Sequence, residues 1–165
     1  MPTPEDWRVA FARQARADLA AREQLLANPA IPACQQFHFL QMACEKICKA
    51  NLFRQGSAEH DLRQSHAYIA KQLPLIAREQ LSVRGKGEPK WFRWAMRRLA
   101  RQIELLAPAV DDGGRHAANC EYPWVGAGGR VMVPASYDFG VDLQREPAGR
   151  MLMKILYAAI AEASG

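Results

Sequence analysis

The sequence predicts an all-α fold, an up-and-down bundle of about five helices. Two observations carry that prediction: five segments place apolar residues three and four apart, and prolines and glycines fall between those segments. A third observation sets the scale. The 165 residues suit one domain, 1–165, large enough to bury a core without metal or disulfide staples.

The first helix begins at Thr3-Pro4-Glu5-Asp6. Thr3 is an N-cap candidate, Pro4 suits the first helical position, and two acids stand where unpaired N–H groups and the helix dipole favour them. Trp7, Phe11, Ala15, Leu19 and Leu26 then keep a helical spacing until Asn28-Pro29 stops the run. A second helix is expected from about Pro32 to Arg54. Phe37, Leu40, Cys44 and Ile47 make one stripe of it, and Gln41, Glu45, Cys48 and Leu52 the adjoining one. Leu62, His66, Ile69, Leu73 and Ile76 give a third helix, ended by Gly85 and Gly87, in which Pro74 predicts a kink or weak point. Phe92, Ala95, Leu99, Ile103 and Leu106 make a strongly amphipathic fourth helix, closed by Pro108.

From 107 to about 146 the helical period disappears. Asp111-Asp-Gly-Gly, Asn119-Cys-Glu-Tyr-Pro-Trp, Gly126-Ala-Gly-Gly and Val131-Met-Val-Pro succeed one another. A long loop or a small hairpin turning at Gly128-Gly129 is expected, with Tyr122, Trp124, Tyr137 and Phe139 as anchors on the bundle. Pro147 opens a fifth helix whose apolar face is Leu152, Ile155, Leu156, Ala159 and Ile160.

Composition narrows the function. Hydrophobic residues are 49% and charged residues 24%, and no apolar run approaches the roughly 18 residues that a membrane span needs. The amino terminus lacks a basic and then apolar leader pattern, so a cytoplasmic protein is expected. Net charge is +5 and the pI near 9.2, which favours acidic partners such as RNA or phosphates. Four cysteines, Cys34, Cys44, Cys48 and Cys120, read as small hydrophobes rather than a disulfide framework.

Helix two carries the most specific signal, Phe37-His-Phe-Leu-Gln-Met-Ala-Cys-Glu-Lys-Ile-Cys-Lys-Ala-Asn-Leu52. It resembles the HEPN family, in whose corresponding helix Gln, Ala, Glu-Lys and Lys-Ala recur. Ala17-Asp18-Leu19-Ala20-Ala21, His66, and Tyr122-Pro123 ahead of Pro134 and Tyr137 are similar to further features of that family, in the same order. The resemblance implies a helical bundle, frequently a homodimer. The family includes RNA-cleaving toxins, defence proteins, partners of nucleotidyltransferases and non-catalytic members. Its catalytic members carry an Arg, four to six residues and a His, often with Asn after the Arg. Arg54 and His60 have that spacing with five residues between them, but no Asn follows and an interhelical loop is expected between them. Arg63 and His66 are too close for the pattern, and Arg115 and His116 are adjacent.

Four further constellations are candidates. Gln41, Glu45 and Lys49 project from successive turns of helix two and could form a polar cluster with His66, with Lys46 beside them. Arg93, Arg97, Arg98 and Arg101, with Trp91 and Trp94, lie away from the apolar stripe of helix four and suit RNA, since guanidinium groups fork onto phosphates and indoles stack on bases. Cys34/His38 and Cys44/Cys48 are i,i+4 pairs of zinc-ligand types, but on one helix they stand about 15 Å and about 80° apart, too far for one ion. Cys120 beside His116 lacks an orienting third group. A binding or regulatory role connected with RNA or nucleotides is therefore expected before a metal-independent endoribonuclease or a structural partner of a nucleotidyltransferase. No metal and no cofactor are expected.

Overall fold

A computed structural model describes residues 2–54, 56, 68–85, 87–107 and 118–164. Among these the chain is an all-α bundle of five helices: α1 (Pro4–Leu26), α2 (Ala33–Arg54), α3 (Ile69–Val83), α4 (Lys90–Glu104) and α5 (Pro147–Ala163). Leu62, Pro108 and the Asp111-Asp-Gly-Gly turn lie outside the described residues. No described helix is long and apolar enough to cross a membrane.

Local chemistry sets where α1 begins. Thr3 and Asp6 form a capping box, Asp6 N–H donating to Thr3 Oγ1 (3.2 Å) and Thr3 N–H to Asp6 Oδ2 (2.7 Å). Those bonds hold the Asp6 carboxyl below its ordinary value. α1 and α2 then pack antiparallel along their lengths, as three pairs show: Trp7 stacks on Phe53, Lys49 lies over the Phe11 ring, and Asp18 accepts from Lys46.

The two adjoining stripes read on α2 have a simple outcome. Leu40, Cys44 and Ile47 are buried, and so are Gln41, Glu45, Cys48 and Leu52. α2 touches all four other helices and is the central rod of the bundle, the usual fate of a helix without one clear polar face.

α3 and α4 form a second antiparallel pair. α3 has no side-chain cap of its own, and Glu104 at the end of α4 supplies one by accepting from Ala70 N–H (2.9 Å). The helix runs on through Pro74. On α4, Phe92, Met96, Leu99, Ala100 and Ile103 are buried, all on one face.

The excursion before α5 contains the small hairpin. Strands β1 (Trp124–Val125) and β2 (Val131–Met132) pair antiparallel around Gly128 and Gly129, both at positive φ (79° and 76°). Trp124, Tyr137 and Phe139 cluster with ring centroids 4.9 to 6.3 Å apart, Tyr137 edge to face with each of the other two, and Phe139 packs on Phe37 of α2. Tyr122, expected as an anchor, is instead 62% exposed. His38 Nδ1 stands 2.8 Å from Glu121 Oε1, bringing the loop start to α2.

α5 buries Leu152, Ile155, Leu156, Ala159 and Ile160, and Tyr157 OH donates to Glu23 of α1. Its first turn presses on the loop before it: a Cβ on Gly149 would stand 2.5 Å from Leu143 Cα and 2.6 Å from Leu143 O. Both are backbone atoms, which cannot rotate away. Gly149→Ala is therefore expected to cost about 1–3 kcal/mol of stability despite alanine's better helix propensity. A urea melt checks this, and an unchanged or raised midpoint would refute it.

Candidate nucleic-acid interface

α4 is divided into two opposite faces by its own sequence. It carries five basic residues and one acid, and its first turn has neither an acid nor a side-chain cap. At 3.6 residues per turn, Lys90, Trp91, Arg97, Arg98 and Arg101 fall within about 60° of Trp94, diametrically opposite Ile103 and its buried neighbours. All six of these residues are exposed. The indoles could have folded into the core, yet Trp91 is 52% and Trp94 69% exposed.

The four arginines differ in commitment. Arg93 Nε pairs with Glu88 Oε2 at 2.7 Å, and Arg98 Nη2 with Glu146 Oε2 at 2.6 Å. The Arg98 guanidinium also lies 5.7 Å from the Trp94 ring centroid, which steadies both side chains on the surface. Arg97 and Arg101 make no ion pair with any described residue. A groove between α3 and α4, lined by Arg78 and Arg97 and by the Arg93–Glu88 pair, continues from this surface to the neighbouring helix.

The other sequence candidates sort differently. Gln41, Glu45 and Lys49 do meet, as an internal ladder. Lys49 Nζ lies 2.6 Å from Glu45 Oε1, Gln41 Nε2 donates to Glu45 Oε2 (3.3 Å), and all three residues are buried. Lys46, on the next face, is held by Asp18 Oδ2 at 2.6 Å. Neither lysine is the solvated helix-end base that such residues usually are; both are spent on carboxylates within the bundle. His66, the fourth member proposed for the cluster, lies outside the described residues, as do His60, Arg63, Arg115 and His116.

Arg54, the arginine of the family-like pair, closes α2. Its guanidinium forks onto the Glu79 carboxylate, Nη1 donating to Oε1 at 2.6 Å and Nη2 to Oε2, and also reaches Asn51 Oδ1 (2.7 Å). The pairing lowers the Glu79 pKa below its ordinary 4.5. A lowered carboxyl pKa stabilises the folded state above the unfolded value, and that contribution is lost as pH falls through the folded one. Both side chains are about two-fifths exposed, so solvent screens most of the pair. Arg54→Ala is expected to cost no more than about 1 kcal/mol at pH 7, and the difference from wild type should shrink as pH falls below the ordinary 4.5 and Glu79 protonates. Melts at pH 7 and pH 3 test both parts. A difference that grows in acid would contradict the assignment.

Three of the four cysteines are poor nucleophiles. Burial pushes the Cys44 and Cys120 thiols up to about 12, with Glu121 adding to the effect at Cys120, and the Cys48 thiol also lies well above its ordinary value. Among the described residues no three His, Cys, Asp or Glu side chains converge as a metal ion would require.

No family model, no curated protein and no solved structure matches this chain.

Proposed function

We propose that this chain is an HEPN-like helical protein that binds RNA through the exposed face of α4, with a binding or regulatory role rather than a catalytic one. The observation that carries this reading is the solvent-exposed pair Trp91 and Trp94 set among Lys90, Arg97, Arg98 and Arg101. Exposed aromatic planes offer stacking to unpaired bases, and the interleaved cations track the phosphates between them. The face is also costly locally. Lys90 and Arg93 stand in a first turn whose positive dipole end disfavours them. Departures of this kind from local preference gather at functional surfaces.

A homodimer, which the family resemblance also implies, would be expected to use another surface. Docking this face on its own copy would oppose cation to cation, with few acids of its own to answer them. Sedimentation of wild type and Trp94→Ala decides the point: a dimer that dissociates on this substitution would make the face a self-association surface.

Binding of a labelled single-stranded oligoribonucleotide, followed by anisotropy at low salt, tests the RNA reading. Trp94→Ala is expected to weaken binding by about 1–3 kcal/mol, the worth of one stacked base. Arg97→Ala/Arg101→Ala should reduce the slope of log K against log salt by about 1.4, or about 0.7 for each phosphate that is no longer neutralised. No binding at low salt, or binding indifferent to both variants, would sink the reading. Metal-independent cleavage of the oligonucleotide, abolished by His60→Ala or His66→Ala, would replace it with the ribonuclease alternative.

A further inference from the structure

A second feature shares no residue with the α4 face. Arg22 continues the apolar stripe of α1 after Ala15 and Leu19, and it is only 5% exposed. Its Nε is buried without a partner, and no hydrogen bond or ion pair joins its guanidinium to any described residue. Every other buried charged side chain among the described residues has a partner: Asp18 has Lys46, and Glu45 has Lys49. A guanidinium keeps its charge in proteins, and leaving it buried without an acceptor is costly. Burial accordingly lowers its pKa.

Arg22 lines a cavity of about 170 Å³ between the C-terminal part of α1, the second turn of α2 and the loop before α5. Gln36 and Phe37 of α2 and Val141 and Leu143 of the loop complete most of its wall. The Gln36 side-chain amide is half-buried and donates to no described residue, and Phe37 offers an aromatic plane. The one acid in the lining, Asp142, is engaged by its own loop: its Oδ1 accepts from Gln144 N–H (3.1 Å) and Arg145 N–H (2.8 Å). A space of this size holds a body about as large as benzene. Its apolar wall residues face the Arg22 guanidinium, which no described residue engages by hydrogen bond or ion pair.

We propose that this cavity is a binding site for the carboxylate or phosphate group of a small ligand, with Arg22 as its charge partner and the Gln36 amide as a second donor. A planar fork of donors matches either oxyanion in a bidentate manner.

Thermal melts in inorganic phosphate and, separately, in succinate test it, at an ionic strength held constant with chloride. The wild-type melting temperature is expected to rise by several degrees and to keep rising with the logarithm of anion concentration, as mass action requires. Response to phosphate alone would assign a phosphate ligand, and response to succinate alone a carboxylate. Arg22→Met removes a buried charge that only the longer-range attraction of Glu23 offsets, so it should melt no lower than wild type without anion and lose the response. Gln36→Ala, at a half-exposed position that leaves the fold intact, should show a reduced response, and Trp94→Ala an unchanged one. A response equal in wild type, Arg22→Met and Gln36→Ala would be a bulk salt effect and would overturn the proposal. So would the absence of any wild-type response. Should Arg22→Met not fold, Gln36→Ala against wild type decides between the same outcomes.

Discussion

Replacing Glu45 with leucine is expected to destabilise this protein by about 3–5 kcal/mol, although leucine is apolar, helix-favouring and of similar size. The cost arises at Lys49. Its ammonium lies 2.6 Å from Glu45 Oε1 with both side chains 6% exposed, so the substitution leaves a buried cation with the Phe11 ring, 6.0 Å away, as its remaining favourable contact. Gln41 Nε2 loses its acceptor in the same step. A buried pair need not stabilise a fold relative to apolar residues, because desolvating two charges cancels much of their attraction. Breaking one is a different matter. The double variant Glu45→Leu/Lys49→Met should therefore recover most of the loss, a coupling far from additive. Urea midpoints for wild type, the single variant and the double variant measure this. A double variant no better than the single would show that the loss comes from packing or from the other partners of Glu45, Gln41 among them, rather than from the orphaned charge.

Phe92→Ala is expected to cost about 3–5 kcal/mol by the same measurement. Phe92 is fully buried and belongs to the large core cluster among the described residues, so truncation both forfeits its transfer from water and leaves a cavity that a packed interior fills poorly. Trp94, two residues on, provides the contrast. Trp94→Ala removes a larger side chain that is 69% exposed, and it should leave the midpoint within about 0.5 kcal/mol of wild type while weakening RNA binding. Phe92→Ala should do the reverse under conditions where it remains folded. Equal loss of stability from both would mean that the Trp94 indole is covered in solution.

How much of this was legible in the sequence varies by element. The start of α1 was, because Thr3, Pro4 and Asp6 act within one turn. The two faces of α4 were, because apolar and basic residues each keep the helical period through Lys90–Glu104. The hairpin at Gly128-Gly129 was, since positive φ favours glycine whatever surrounds it. The polar cluster was half legible. Gln41, Glu45 and Lys49 are necessarily neighbours on one helix, but their spacing does not say whether that side faces water or protein. Arg22 and Gly149 were missed. The signal at Arg22 was a cation on an apolar stripe, and a long side chain on such a stripe ordinarily carries its charge out to solvent.

The sequence by itself determined the helices, most of their ends and the side of each amphipathic helix that turns inward. Those properties rest on dihedral preference, capping and periodicity, all of which act over a few residues. Only the tertiary structure decided that α2 is enclosed on every side, that Lys49 and Arg22 are inside, that Arg54 is held by Glu79, and that α5 meets the Leu143 backbone at Gly149. Each of those depends on what packs opposite. Arg54 and Glu79 stand 25 positions apart in the chain, and no local rule joins residues so distant. Burial of α2 from all sides makes its Gln41-Glu45-Lys49 ladder internal, whereas the Trp and Arg face of α4 stays exposed.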